Sequence, residues 1–199
     1  KKRKFILKLI LMFSYMVSQV EEVGDSMFTV IAEGHIVNLP YFSNESNYDN
    51  LEDVKRAVIV LHGQNRNAND YFEYIKDAAI SANLIDETLI FSPQFLISQD
   101  MNFWNLDSSV IFWSGTTQWT GGDFSNSTEE HPRPYFLSSF ALIDSIIHSL
   151  LTTYSELEDI VLIGNSAGGQ FVNRYLGGTS LNGEGKVRYI VCAPSHYLY

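Results

Sequence analysis

The sequence predicts an α/β protein, a mostly parallel sheet with helices on both faces, and three observations carry that prediction. Arg56-Ala-Val-Ile-Val-Leu61 and Ile160-Val-Leu-Ile163 are continuous apolar runs of strand composition, as expected of strands buried on both sides. Stretches with apolar residues at steps of three and four alternate with them, and alternation of strand and helix implies parallel pairing through crossovers. Finally, Gly164-Asn-Ser166-Ala-Gly168 follows the second run, a small-residue turn leading into a helix-compatible segment.

In chain order, Met27 to Val37 and the stretch to Phe42 suggest the opening strands. Arg56 to His62 is the next strand, and a helix follows to Asn83 with Phe72, Ile75, Ala79 and Ala82 on one side. Asn67 is placed to cap it. Glu87 to Phe91 is a strand ended by Ser92-Pro93. Pro134 opens a helix carrying Phe136, Phe140, Ile143, Ile147, Leu150 and Tyr154 as one apolar stripe. The strand before Gly164 and a helix over Ala167 to Leu176 come next, with Gly177-Gly178 stopping the helix. Val187 to Ala193 is the last strand.

The segment from Pro93 to Pro132 fits no period and carries Phe95, Phe103, Trp104, Phe112, Trp113 and Trp119, then Gly121-Gly-Asp123. An unpatterned stretch of this length inside a compact domain is often functional. Leaving the carboxyl end of a strand, it would rise over the place where ligands bind in open α/β sheets. Trp104, Trp113 and Trp119 are therefore candidates for a substrate wall or lid; a satellite core that pins the loop down is the alternative.

Strand, sharp turn and helix around Ser166 form the context of a nucleophile elbow. A serine hydroxyl attacks only when held clear of its own backbone beside a base. Glycines at 164 and 168 leave room where helix and strand cross closely. A plain strand-to-helix turn is the alternative reading. The earlier strand ends in His62-Gly63, and in hydrolases with such an elbow one oxyanion amide follows an early strand while the other follows the nucleophile. Gln64 N–H and Ala167 N–H are the expected donors. His62 lies upstream of the serine, so it is read as a strand-end residue that orders the loop rather than as the base. Arg66, Arg174 and Asp123 are read as members of a buried or half-buried ion pair serving the same purpose.

On these residues the chain resembles the α/β-hydrolase superfamily. It is similar, more narrowly, to secreted or periplasmic hydrolases with the segments His62-Gly-Gln-Asn-Arg66-Asn67-Ala68 and Gly164-Asn-Ser166-Ala-Gly-Gly-Gln170-Phe-Val-Asn173-Arg174-Tyr175. The likeness runs from about Phe28 to Tyr199. Asn165 departs from it, histidine being common at that position. The resemblance implies an acid and then a histidine after the serine, yet Ser166 is followed only by Glu184 and His196, both badly placed. The expectation is a partial α/β-hydrolase domain over 19–199, with its C-terminal strands, acid and base beyond Tyr199; a degenerate, non-catalytic chain is the alternative.

Lys1-Lys-Arg-Lys4 followed by the apolar run Leu9 to Val17 reads as a signal peptide over 1–18. The run is too short to span a bilayer, which takes about 20 residues; an uncleaved anchor and a cytoplasmic helix are the alternatives. The chain's net charge is −10, and five of its thirteen basic residues fall in the first ten positions, which leaves eight basic against twenty-three acidic side chains after residue 18. So acidic a body repels phosphate backbones and anionic membranes. Cys192 is the single cysteine, in an apolar run where a buried thiol is expected. Asn44-Glu-Ser and Asn126-Ser-Thr are glycosylation sequons. No metal cluster or nucleotide loop is visible, so no cofactor is expected. The reading is an exported serine hydrolase acting on a small-molecule or polymeric carboxylic ester, with no nucleic-acid partner and no stable membrane span; a non-catalytic binding protein on the same scaffold is the alternative.

Overall fold

The structure is a computed structural model and describes residues 19–47, 50–179, 181 and 185–197. The leader and Glu184 lie outside the described residues. No helix among the described residues is long and apolar enough to cross a membrane.

Among the described residues, six strands form one sheet in the order β1-β2-β4-β3-β5-β6. They are β1 (Ser26–Ala32), β2 (His35–Ser43), β3 (Arg56–Leu61), β4 (Thr88–Pro93), β5 (Asp159–Asn165) and β6 (Val187–Cys192). Strands β1 and β2 form a hairpin turning at Glu33 and Gly34, both in the left-handed region that a tight reversal needs. That turn divides the single opening stretch of the sequence. Strand β2 is antiparallel to both its neighbours, whereas β4, β3, β5 and β6 pair in parallel. The expected α/β class, with a mostly parallel sheet, is borne out.

Helix α1 (Ala68–Ser81) covers one face, where Phe72 meets Val60 of β3 and Ile90 of β4. Helices α3 (Ser139–Thr153) and α4 (Ala167–Gly178) lie on the other, with Leu142, Ile143, Ile147, Phe171 and Tyr175 joining Ile59, Leu61 and Leu162 in the main core. Alternate residues of β3 thus serve opposite faces. The chain leaves β3 for β4 on one side and returns to β5 on the other, so the carboxyl ends of β3 and β5 flank a topological switch point.

Three local expectations are corrected. Helix α3 starts at Ser139, not Pro134: Ser138 is its N-cap and accepts from Phe140 N–H. Residues before it are held extended because Leu137 N–H donates to Ser125 Oγ and the Tyr135 hydroxyl to Ser109 O, leaving Phe136 exposed. Helix α4 runs through Gly177 and Gly178 instead of stopping before them. Cys192 is half-buried rather than buried.

The long segment after β4 is pinned down by its own aromatics. It contains a short helix, α2 (Ser98–Trp104), and a 3-10 turn at Gln118–Gly121. Phe95, Phe112, Trp113 and Trp119 are all fully buried. Trp113 Nε1–H donates to Asp123 O and Trp119 Nε1–H to Thr116 O, so each indole satisfies its polar atom within the segment. Trp113 and Trp119 therefore belong to the core. With no exposed surface they cannot form a substrate wall. Trp104 is part-exposed and spends its N–H on Val20 O.

Candidate active site

Ser166 occupies the turn between β5 and α4 with φ 56° and ψ −116°, a left-handed backbone that a residue with a side chain seldom adopts. Its own N–H donates to Cys192 O and its carbonyl accepts from Gln170 N–H. These bonds, one to β6 and one into α4, hold the strained turn in place, and the side chain is left exposed.

The glycines show why the turn requires this sequence. A Cβ on Gly164 would lie 2.2 Å from Gly168 C and O; one on Gly168, 2.3 Å from Leu61 O; and one on Gly169, 2.2 Å from Cys192 O. All these neighbours are backbone and cannot swing aside. Helix α4 is thus wedged against β3, β5 and β6 at its first turn. Ala167 opens that turn and is buried.

The loop after β3 passes directly beside the serine, because an ideal Cβ on Gly63 would come 3.9 Å from Ser166 Cβ. The Gly63 carbonyl accepts from His62 Nδ1–H at 2.7 Å and from Arg66 N–H at 3.1 Å. A trans peptide points its N–H opposite its C=O, so the Gln64 N–H faces away from both. His62 Nε2 accepts from Phe95 N–H, which fixes the proton on Nδ1. Burial pushes the imidazole down to about 4, the Gly63 carbonyl opposes that shift and the Arg66 charge adds to it. Neutral and committed at both nitrogens, His62 is a structural member of the loop, as the sequence suggested. The ring packs edge-on to Trp119, which stacks on Phe95 at 4.6 Å.

The ion pair foreseen at Arg66 is present with a different partner. Arg66 is buried and meets Asp100 of α2 through two bonds, Nε to Oδ2 at 2.7 Å and a second from Nη2 to Oδ1. Arg174 instead donates to Thr120 Oγ1, and the Asp123 backbone carbonyl receives the Trp113 indole. Asn67 stands at the N-cap of α1 but donates its amide to Asp70. Sequence reasoning missed Asp100 and Gln94, and it named Phe95 only as one of the aromatics of the long segment, not as the partner of His62. Gln94 is buried, accepts from Gly24 N–H and donates to Glu22 O and Arg66 O, and no motif announces either Asp100 or Gln94.

Around the elbow the structure brings together Ser166, Ala167 and the Gly63–Arg66 loop; it places Trp104 elsewhere, against Val20. Among the described residues, no hydrogen bond joins Ser166 Oγ to a histidine or carboxylate, and no group of histidine, cysteine or acidic side chains could hold a metal.

No protein-family model and no curated protein matches the chain. Among solved structures it is similar to poly(aspartic acid) hydrolase-1 from Sphingomonas sp. KT-1, at 24% identity and TM-score 0.43, over 80% of this chain and 52% of that one. It is also similar to an alpha/beta hydrolase fold protein of unknown function, at 16% identity and TM-score 0.46, over 86% of this chain and 44% of that one. The chain spans about half the length of these structures. The molecule's own geometry, an elbow closing a central parallel strand beside the loop that follows β3, is the α/β-hydrolase arrangement.

Proposed function

We propose that this chain carries the nucleophile half of a serine hydrolase, acting on carboxylic esters. The observation that supports it most directly is Ser166, exposed in a left-handed turn with the Gly63 loop alongside. Strain of this kind persists only where surrounding structure enforces it, and it concentrates at active sites. Ser166 Oγ attacks the acyl carbon, and the oxyanion so formed accepts from Gln64 N–H and Ala167 N–H. The alcohol departs, and water then releases the acid from the acyl-enzyme. The reaction needs a base, and His62 does not serve, because both of its nitrogens are taken.

The substrate is a small or polymeric ester, and water is the only co-substrate the scheme requires. An acidic chain of net charge −10 repels polyanions, so neutral esters are the favoured class over poly(aspartic acid). The leader composition at residues 1–18 supports export.

The test is labelling by a fluorophosphonate probe together with p-nitrophenyl ester turnover, using protein expressed from its complete reading frame. Ser166→Ala should abolish both while the protein stays folded, since losing a nucleophile costs about 10⁶ in turnover. Equal labelling of mutant and parent would refute the assignment. A parent that neither labels nor turns over any ester would favour the binding-protein reading.

A further inference from the structure

The loop between β3 and α1 turns on one residue. Arg66 sits at φ 60°, a conformation costly for a side chain as large as arginine's, and yet it is buried. Its backbone N–H closes the turn by donating to Gly63 O at 3.1 Å. Its Nη1 donates to Gln64 O at 3.2 Å. Its carbonyl accepts from Gln94 Nε2 at 2.8 Å. Arg66 thereby holds the carbonyls on both sides of Gln64, and those two peptide planes decide where the Gln64 N–H points.

The guanidinium is itself fixed by Asp100, through the two bonds that match a planar fork to a carboxylate. Asp100 Oδ2 also accepts from Ile97 N–H at 3.0 Å, at the entry to α2. The buried carboxylate thus ties the Gln64 loop to the segment that follows β4. Both side chains are buried, and the contacts of Arg66 to this loop are to Gly63 O and Gln64 O, so the pair acts through Gln64.

We infer that Arg66 and Asp100 form a positioning pair that aims the Gln64 amide at the developing oxyanion, so that the pair governs turnover rather than substrate binding. This rests on the ester-hydrolase reading above. A misplacement of about 1 Å near the reacting atoms can cost roughly 10² in rate, and a whole oxyanion donor is worth roughly 10²–10³. A tilted donor should fall at the lower end.

The experiment compares Asp100→Asn and Arg66→Lys with the parent, in the background of the complete reading frame, by steady-state ester kinetics and by amide hydrogen exchange. Lysine keeps the charge but cannot hold Asp100 at two points and Gln64 O together. Each variant should lose about 10- to 100-fold in kcat with KM within about threefold, and exchange should quicken at Gln64 to Asn67 while β3 and β5 stay protected. Added to Gln64→Pro, which deletes the donor, Asp100→Asn should cost little more in kcat, whereas a pair that merely stabilises the fold would add its full effect. Unchanged kcat in both variants, or losses that simply add to Gln64→Pro, would overturn the inference. If the parent proves inactive while the exchange pattern appears as expected, the loop-holding role stands and the ester-hydrolase reading falls. If exchange is unchanged, the pair does not hold the loop, whatever the activity.

Discussion

Gly168→Ala is the most direct probe of the elbow. An added Cβ would lie 2.3 Å from Leu61 O, 2.8 Å from His62 O and 2.9 Å from Leu61 C. Contacts to carbon are comfortable only near 3.5 Å, so helix and strand must part by about 1 Å. Retreat in the other direction is blocked, because Gly169 is already packed on Cys192 O. Forcing a methyl into such a site costs typically 1–3 kcal/mol. Alanine's higher helix propensity returns at most about 1 kcal/mol. Overpacking wins, and the net loss should be about 1–2 kcal/mol. For a domain of this size that lowers Tm by roughly 2–8 °C. Catalysis should suffer more than stability, because Ser166 and the Ala167 N–H ride on the displaced turn, and about 1 Å there is worth roughly 10² in rate. Gly115→Ala is the control: its Cβ would meet only the Gln118 side chain, at 3.6 Å, and should stay within about 0.5 kcal/mol of the parent. Thermal unfolding by circular dichroism and probe labelling would be read on the same samples. A Gly168→Ala protein that melts and labels like the parent would refute the close-crossing argument.

Gln64→Pro should lower ester turnover by roughly 10²–10³ while Gln64→Ala, which keeps the amide, stays near the parent; equal losses would move the donor to Asn65 or Gly63. His62 is held down to about 4 when folded against 6.5 when unfolded, so the unfolded chain binds the extra proton between those values. The contribution, about 3 kcal/mol, is complete above pH 6.5 and is lost as pH falls toward 4. His62→Gln should flatten urea-derived stability over that window, and an unchanged slope would count against the buried neutral imidazole. Asn44 donates to Thr88 O and accepts from Ile90 N–H while only 3% exposed. Asn44→Ala should therefore cost about 2 kcal/mol or more in chemical denaturation, and a glycan on Asn44 of the folded protein, sought by mass spectrometry, should be absent.

What could be read from the sequence was what is encoded locally. Strands β3 and β5 announced themselves as apolar runs, and they pair Ile59 with Leu162 in the middle of the sheet. The elbow was legible because glycines at 164 and 168 have one physical use there, the close crossing of helix and strand. The start of α3 was misread for the opposite reason. Pro134 resembles a helix opener, and Phe136 falls on the apolar stripe by period alone. The residues that decide the boundary, Ser125 and Ser109, lie in the unpatterned segment, and no periodicity connects them to Leu137 and Tyr135.

The same division runs through the candidate site. Gly63, Gln64, Ser166 and Ala167 lie in short motifs whose chemistry can be argued from spacing. The residues that hold them are remote in sequence: Asp100 lies 34 positions from Arg66, and Phe95 lies 33 from His62. Trp119 and Phe95 carried a signal, their aromatic character, but that signal fits a wall as well as a core. Only burial separates the two, and burial belongs to the folded chain. The aromatic segment nevertheless bears on the site without lining it. Phe95 N–H fixes the His62 tautomer, Trp119 packs on that ring, and Asp100 fixes Arg66. A change in this segment therefore reaches the Gln64 amide through the His62 and Arg66 bonds to the flanking carbonyls, so its effect should show in turnover even where no substrate atom is touched.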